Sequence, residues 1–293
     1  MSFTTLISPE NLANNLNQSN WFIFDARFNL ADTQAGETAY RHGHIANARY
    51  VHLDRDLSSA ITSFTGRHPL PNVNTLINKL GAWGVTNTSQ VVIYDDASGA
   101  IAGRFWWLLR YLGHEKVAIL DGGLAYWIKQ GHPITTHLPN TRPVIYRPYI
   151  NCSTLVNTQT LEQTLAKNSI TLIDARATER YQGKVEPLDP VAGHIPKALN
   201  RPFQLNLDAQ GRFLPAAVLQ QQFRALIGQT PCPQVVHMCG SGVTACHNVL
   251  AMEIAGLAGS KLYAGSWSEW IRNKNRAIAC DKSPKHQTLL NIK

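Results

Sequence analysis

Residues 21–27 read WFIFDAR, and residues 170–176 read ITLIDAR. Three further pairs of blocks follow in the same order: GHIANA (43–48) with GHIPKA (193–198), QVVIYD (90–95) with QVVHMC (234–239), and LDGGLAYWIKQ (120–130) with LYAGSWSEWIRN (262–273). Matched positions lie 143 to 150 residues apart. Four ordered blocks at one long offset indicate a duplicated domain, since a solenoid needs shorter periods and more copies. Because the Asp-Ala-Arg ending occurs in both halves, its acid and arginine are interpreted as a structural ion pair.

Each half alternates short β-branched runs, such as VVIYD and VAILD, with stretches of helical periodicity. Runs of this kind are typical of strands buried on both faces of a parallel sheet. The pattern predicts an α/β fold of two tandem domains, each a parallel sheet flanked by helices. We place the first domain at 1–136, a linker with three prolines at 137–151, and the second domain at 152–293.

The composition excludes several classes of partner. The chain has 293 residues, 44% of them apolar, and a net charge of +8, but no basic run of five or more. We therefore expect no nucleic-acid partner, whereas the basic balance suits a small anionic substrate. The N-terminal sequence lacks a signal-peptide pattern, and no stretch is apolar enough for a membrane span. Five cysteines without a CxxC pair predict a reduced, cytoplasmic protein.

Cys239 ends an apolar run, and Gly240 and Gly242 follow before a helical pattern starts. Ligands of parallel sheets bind at the carboxyl ends of strands. Glycines permit backbone conformations closed to other residues, so this cysteine loop, residues 239–244, can curl its N–H groups around the sulfur. Those groups and the helix N-terminus favour an anion, and the thiolate is the reactive form of cysteine. The matched position of the first half is Asp95, which predicts one catalytic and one non-catalytic domain.

Other chemistries that use such a loop lack their required residues. A cysteine phosphatase needs an arginine at the sixth position after the cysteine, which is Ala245 here. No GxxxxGK follows for a nucleotide, and no resolving cysteine lies at CxxC spacing for redox exchange. The spacing of Cys239, Cys246 and His247 is not that of a zinc site. We interpret Cys246 as a core residue and predict neither a metal nor a cofactor.

The CGSGVTACH loop, the repeated DAR and GHI blocks and GSWSEW (265–270) resemble the two-domain rhodanese family over nearly the whole chain. Within it, CGSGVT is similar to the loop of the 3-mercaptopyruvate sulfurtransferases, whereas thiosulfate sulfurtransferases more often carry CRKGVT. The resemblance implies rhodanese-like domains and covalent sulfur transfer. Sulfur would pass from 3-mercaptopyruvate to a Cys239 persulfide with release of pyruvate, and then to a thiol, cyanide or a thioredoxin-like protein.

The resemblance also implies roles for individual residues. Ser241 of the loop, with His68 and Asp54 of the first half, would assist proton transfer. Arg180 would bind the donor's carboxylate, for which a planar guanidinium is suited. The remaining loop residues would form the substrate site: Gly240, Gly242, Val243 and Thr244.

One segment departs from the mercaptopyruvate pattern. Those enzymes usually carry a second arginine in an EPR triplet, and Leu188 stands in its place in EPLD. Lys184 is the candidate replacement charge suggested by the sequence. This departure motivates a first alternative, a thiosulfate:cyanide sulfurtransferase. A second alternative, independent of the departure, is a non-enzymatic sulfur carrier or binding module of the same fold.

Overall fold

The computed structural model describes residues 2–281. The first half contains β1 (Leu6–Ile7), α1 (Pro9–Ala13), β2 (Trp21–Asp25), α2 (Ala35–His42), β3 (Ala48–Tyr50), α3 (Leu53–Asp56), α4 (Val73–Ala82), β4 (Gln90–Tyr94), α5 (Ala102–Tyr111), β5 (Val117–Leu120) and α6 (Gly123–Lys129). The second half contains α7 (Thr158–Ala166), β6 (Thr171–Asp174), α8 (Thr178–Tyr181), β7 (Leu199–Asn200), α9 (Ala216–Ile227), β8 (Val235–Met238), α10 (Ala245–Ile254), β9 (Lys261–Leu262) and α11 (Ser266–Trp270).

Two parallel sheets carry the sequence repeat. The first has the strand order β1-β5-β4-β2-β3 and the second the order β7-β6-β8-β9, so that β2, β3, β4 and β5 correspond to β6, β7, β8 and β9. In place of β1, the second half has a single parallel bridge between Leu155 and Leu262. The predicted α/β fold with two parallel sheets is therefore confirmed.

The Asp-Ala-Arg endings form the predicted ion pairs. Arg27 contacts Asp25 at 2.6 Å, and Arg176 contacts Asp174 at 2.7 Å. Each arginine also donates to a carbonyl of its own GHI block: Arg27 to that of Gly43 at 2.7 Å, and Arg176 to that of Gly193 at 2.8 Å. These buried pairs hold the segment before β3 or β7 against the end of its neighbouring strand.

Helices α5 and α10 pack against each other and join the two halves. Every residue of Ala102–Leu109 and Ala245–Met252 is buried, as expected for helices that are surrounded by protein on all sides. Gly103 permits this close approach, because a Cβ on it would lie 3.3 Å from the backbone nitrogen of His247. A single hydrophobic cluster contains side chains of both sheets and both helices, and a smaller cluster covers the outer face of each sheet.

Residues 137–151 form neither a helix nor a strand and pack along the first domain. Val144 donates to the carbonyl of Gly81 at 2.8 Å, and Tyr149 donates to that of Leu112 at 2.9 Å. Between them Tyr146 is buried. Within residues 2–281, none of the helices combines the length and the apolar character that crossing a bilayer would require.

Candidate active site

Cys239 follows β8 and lies at the inner wall of the cysteine loop, only 2% exposed. Its own N–H donates to the Ser266 hydroxyl at 3.0 Å, and its Sγ accepts a hydrogen bond from the N–H of Gly242 at 3.2 Å. Gly242 has a φ of 77°, and a Cβ there would lie 2.1 Å from the carbonyl oxygen of Ala264. The turn that directs this N–H at the sulfur therefore requires glycine at 242.

The interpretation of Gly240 as a conformational glycine is wrong. Its φ lies outside the left-handed range, so other residues could adopt its backbone conformation. The space beside it is occupied instead, since a Cβ at 240 would lie 2.8 Å from Nη2 of Arg67 and 3.5 Å from Nη2 of Arg180. The missing side chain makes room for two guanidinium groups.

A cavity of about 100 Å³ lies above the sulfur, between the two halves of the chain. The first half contributes Leu30, Leu53, Arg67, His68 and Ile101, and the second half contributes Arg180, Leu188, Cys239, Gly240, Ser241, Val243 and Thr244. Most of the predicted site residues thus line one cavity. Gly242 and Asp54 are not among the lining residues: the Gly242 N–H contacts the Cys239 sulfur, and Asp54 contacts His68.

Ser241, His68 and Asp54 form a chain of contacts that crosses the domain boundary. Nδ1 of His68 lies 2.7 Å from the Ser241 hydroxyl, and Nε2 lies 3.4 Å from a carboxylate oxygen of Asp54. With the Nε2 proton facing that carboxylate, Nδ1 accepts from the hydroxyl. Burial, with smaller contributions from Arg104 and Arg67, lowers the pKa of His68 to about 3. The imidazole is therefore neutral near pH 7, and Asp54 is half exposed.

Arg104 is a buried cation next to the site that the sequence reasoning missed. Its side chain on α5 is fully buried, and within residues 2–281 no carboxylate lies at ion-pair distance. The guanidinium donates to the carbonyls of Gly242 at 3.0 Å and His68 at 3.1 Å. Burial lowers its pKa, although Cys246 and Cys239 act in the opposite direction. A buried cation thus ties the cysteine loop to the segment that carries His68.

Arg180 does not stand alone in the cavity wall. It contacts Glu186 at 2.6 Å and Asp189 at 3.3 Å. Asp189 also accepts two hydrogen bonds from Arg67, at 2.9 and 3.1 Å, so that it bridges arginines of both halves. Lys184, the charge suggested by the sequence, is exposed and does not line the cavity. Arg67 was missed although it directly precedes His68 in GRHPLP.

The matched loop of the first half, residues 95–101, holds Asp95 where the second half has Cys239. Its Oδ1 accepts hydrogen bonds from the backbone N–H groups of Ala97 and Gly99 at 3.0 and 2.8 Å. Its Oδ2 accepts from those of Ile101 and Ala102 at 2.9 and 2.8 Å. This aspartate loop shows that the shared strand–loop–helix geometry can hold an anion with backbone groups alone.

Cys246 lies inside the protein, as predicted. It is fully buried on α10, its Sγ donates to the carbonyl of Gly242 at 3.4 Å, and burial raises its pKa to about 12. A thiol with such a pKa stays protonated at neutral pH and is a poor nucleophile. Cys239 is therefore the candidate nucleophile of this site.

The family model of the rhodanese-like domain matches residues 8–130 and 157–273. The chain therefore belongs to the rhodanese family, with two such domains in tandem. A probable 3-mercaptopyruvate sulfurtransferase of Pseudomonas aeruginosa is 45% identical over 95% of this chain and 99% of its own length. The thiosulfate sulfurtransferase of Bos taurus is 31% identical over 85% of this chain and 84% of its own.

The solved structures agree with these relatives. SseA from Escherichia coli, a 3-mercaptopyruvate sulfotransferase, superposes with a TM-score of 0.78 at 29% identity, covering 91% of this chain and all of SseA. The 3-mercaptopyruvate sulfurtransferase from Leishmania major gives 0.79 at 27% identity, covering 91% of this chain and 74% of its own. This member of the family is an enzyme, a sulfurtransferase.

Proposed function

We propose that the chain transfers sulfur from 3-mercaptopyruvate to a thiol or cyanide through a persulfide on Cys239. The observation that supports this most is the position of the Cys239 sulfur. It accepts the Gly242 N–H and lies in one small cavity with Arg180 and the Ser241–His68 pair. The second domain is then the catalytic one, and the first contributes His68 and Asp54.

The donor half of the reaction follows from this arrangement. Arg180 binds the donor carboxylate, and the Cys239 thiolate attacks the donor sulfur. An S–S bond forms while the C–S bond breaks, and the electron pair of the C–S bond passes to carbon as the enolate of pyruvate. The proton that the donor sulfur carried is relayed to that carbon by Ser241, which is hydrogen-bonded to neutral His68. Pyruvate leaves, and Cys239 carries a persulfide anion beside the loop N–H groups.

The acceptor half restores the enzyme. A cyanide ion or thiolate attacks the outer sulfur of the persulfide, the S–S bond breaks, and its electron pair returns to Cys239 as thiolate. The products are thiocyanate or an acceptor persulfide. The cavity of about 100 Å³ suits a small nucleophile, or the cysteine of a thioredoxin-like protein whose side chain enters from the surface.

The test uses the full chain with 3-mercaptopyruvate and no acceptor. We expect one equivalent of pyruvate and a mass increase of one sulfur atom on the peptide that contains Cys239. Cys239→Ser should lose both, whereas Cys246→Ala, which removes the other thiol of the loop and helix, should keep both. Persistence of pyruvate release in Cys239→Ser would refute the proposal.

Thiosulfate is the second candidate donor, since Leu188 lines the cavity and leaves this wall without the expected arginine. Steady-state kcat/KM for the two donors separates the candidates, and a larger value for thiosulfate would favour the second. If neither donor modifies Cys239, the remaining hypothesis is a sulfur carrier or binding module.

A further inference from the structure

The donor cavity contains a second arginine, but it comes from the other domain. We propose that Arg67 of the first domain binds the donor's carboxylate together with Arg180, and that it makes the site selective for an α-keto carboxylate donor. This inference rests on the proposed function and names the residue that determines its substrate class.

The position of Arg67 supports this role. Its side chain is 22% exposed and lines the cavity. Its Nη2 would lie 2.8 Å from a Cβ added to Gly240, the residue after Cys239. Arg180 approaches the same point from the second domain at 3.5 Å. Two guanidinium groups therefore converge on the entrance to Cys239, although Leu188 provides no charge there.

Asp189 shows that the two groups are spaced to share one carboxylate. Its side chain is 1% exposed, accepts Nε and Nη2 of Arg67 at 2.9 and 3.1 Å, and accepts Nη2 of Arg180 at 3.3 Å. Within residues 2–281, Nη1 of Arg67 and Nη1 of Arg180 have no hydrogen-bond partner. Each arginine is thus oriented by protein carboxylates while it keeps donors for a ligand. A planar fork is suited to a carboxylate, which it can bind through two parallel hydrogen bonds.

A purely structural role for Arg67 would be to tie the two domains together. The chain offers a matched control for that role. Arg272 of the second domain donates to the carbonyl of Thr65 at 3.0 Å, two residues from Arg67, and does not line the cavity. Arg272→Ala therefore removes a tie to the same loop without changing the charge of the site.

Steady-state kinetics with both donors test the proposal. We expect Arg67→Ala to raise KM for 3-mercaptopyruvate at least tenfold with kcat within about threefold, as for loss of a binding contact. KM for thiosulfate, which has no carboxylate, should change by less than about threefold. Arg272→Ala should leave both constants unchanged. Arg67→Ala with Asp189→Asn should stay impaired, because the missing cation, rather than an unpaired carboxylate, causes the loss. Adding Leu188→Arg to Arg67→Ala should recover part of the affinity.

A second readout does not need turnover. Pyruvate should protect Cys239 of the wild type from alkylation by iodoacetamide, measured by intact mass, and Arg67→Ala should need at least tenfold more pyruvate for the same protection. A wild type that releases no pyruvate from 3-mercaptopyruvate would refute the proposed function, while the protection assay would still decide on Arg67. Equal KM and equal protection in Arg67→Ala and Arg272→Ala would overturn the inference.

Discussion

The aspartate loop and the cysteine loop have matched positions in the two domains, but one holds a carboxylate where the other holds a thiol. In the first domain, the Asp95 carboxylate accepts four backbone N–H groups and fills the space that they enclose. In the second, the Cys239 sulfur accepts one hydrogen bond among the described residues 2–281, from the Gly242 N–H, and a cavity of about 100 Å³ lies beside it. A resident carboxylate thus makes the loop a structural element, whereas a smaller thiol leaves room for a ligand.

The largest expected effect comes from giving the cysteine loop the residue of the aspartate loop. Cys239→Asp removes the proposed nucleophile, and we expect sulfur transfer to fall by at least about 10³-fold, as for loss of a covalent catalyst. The new carboxylate should accept the loop N–H groups, so that the protein unfolds at a urea concentration no lower than Cys239→Ala does. An unfolding midpoint well below that of Cys239→Ala would show that the two loops are not equivalent.

A change in the first domain, Asp95→Ala, tests the aspartate loop. Asp95→Ala leaves four N–H donors without their acceptor, and each buried unsatisfied donor costs about 1–3 kcal/mol. We expect the free energy of unfolding, measured in urea, to fall by several kcal/mol. Cys239→Ala, the matched change in the second domain, should cost about 1 kcal/mol or less, because one weak hydrogen bond is lost. Equal losses for the two variants would contradict the assignment of a structural role to Asp95 alone.

Arg104 of the first domain contacts the cysteine loop through the Gly242 carbonyl, and its removal should have a smaller effect. Arg104→Met removes the guanidinium donors from the carbonyls of His68 and Gly242, and the Gly242 carbonyl keeps the weaker thiol donor of Cys246, so we expect a cost of about 2 kcal/mol of stability. Turnover should drop about tenfold because the cysteine loop and the segment of His68 lose the side chain that connects them. Arg104→Lys keeps the charge but cannot reproduce the fork geometry, so its stability should lie between those of Arg104→Met and the wild type.

In Arg104→Met, the rate of Cys239 alkylation at fixed pH should change together with turnover. An unchanged alkylation rate alongside lower turnover would mean that Arg104 acts through His68 only. Arg110→Met, at the solvent-facing end of the same helix, serves as the control for the loss of an arginine from α5.

The smallest effect concerns the link between the aspartate loop and α10, the helix that follows the cysteine loop. His247 of α10 donates from Nε2 to the carbonyl of Ser98 in the aspartate loop at 3.0 Å, and its Nδ1 accepts from the Asn206 amide at 3.1 Å. Burial lowers its pKa to about 4, so the native state resists a proton that the unfolded chain binds near pH 6.5. Stability present above that pH is therefore lost as the pH falls toward 4.

We expect His247 to contribute about 1 kcal/mol to the loss between pH 7.5 and 5.5, measured by urea unfolding. His68 and His237, whose pKa values burial lowers to about 3, act in the same direction. His247→Gln should show a shallower pH dependence than the wild type. Stability that rises on acidification would contradict this assignment.

Much of the fold could be predicted because repeats and hydrophobic runs are local patterns. The DAR pairs, the parallel strands and the location of Cys239 at a strand tip follow from residues close together in sequence. Arg67 and Arg104 could not be found in this way, since each acts on residues far along the chain. A signal existed for Arg104, a single charge inside the apolar helix IAGRFWWLL, but only packing shows which carbonyls it faces. Gly240 was misread because the obstacle beside it is a side chain of the other domain.

The Ser241–His68 hydrogen bond joins residues 173 positions apart, so a chain divided between its two domains could not form it. A fragment that started after residue 151 would retain the nucleophile, the glycines and Arg180. It would lack the wall formed by Leu53, His68 and Ile101, so the side of the cavity that the first domain closes would be open to water. Division of the gene between the repeats would thus yield one piece with Cys239 and Ser241 and another with His68, and neither piece would contain the whole cavity.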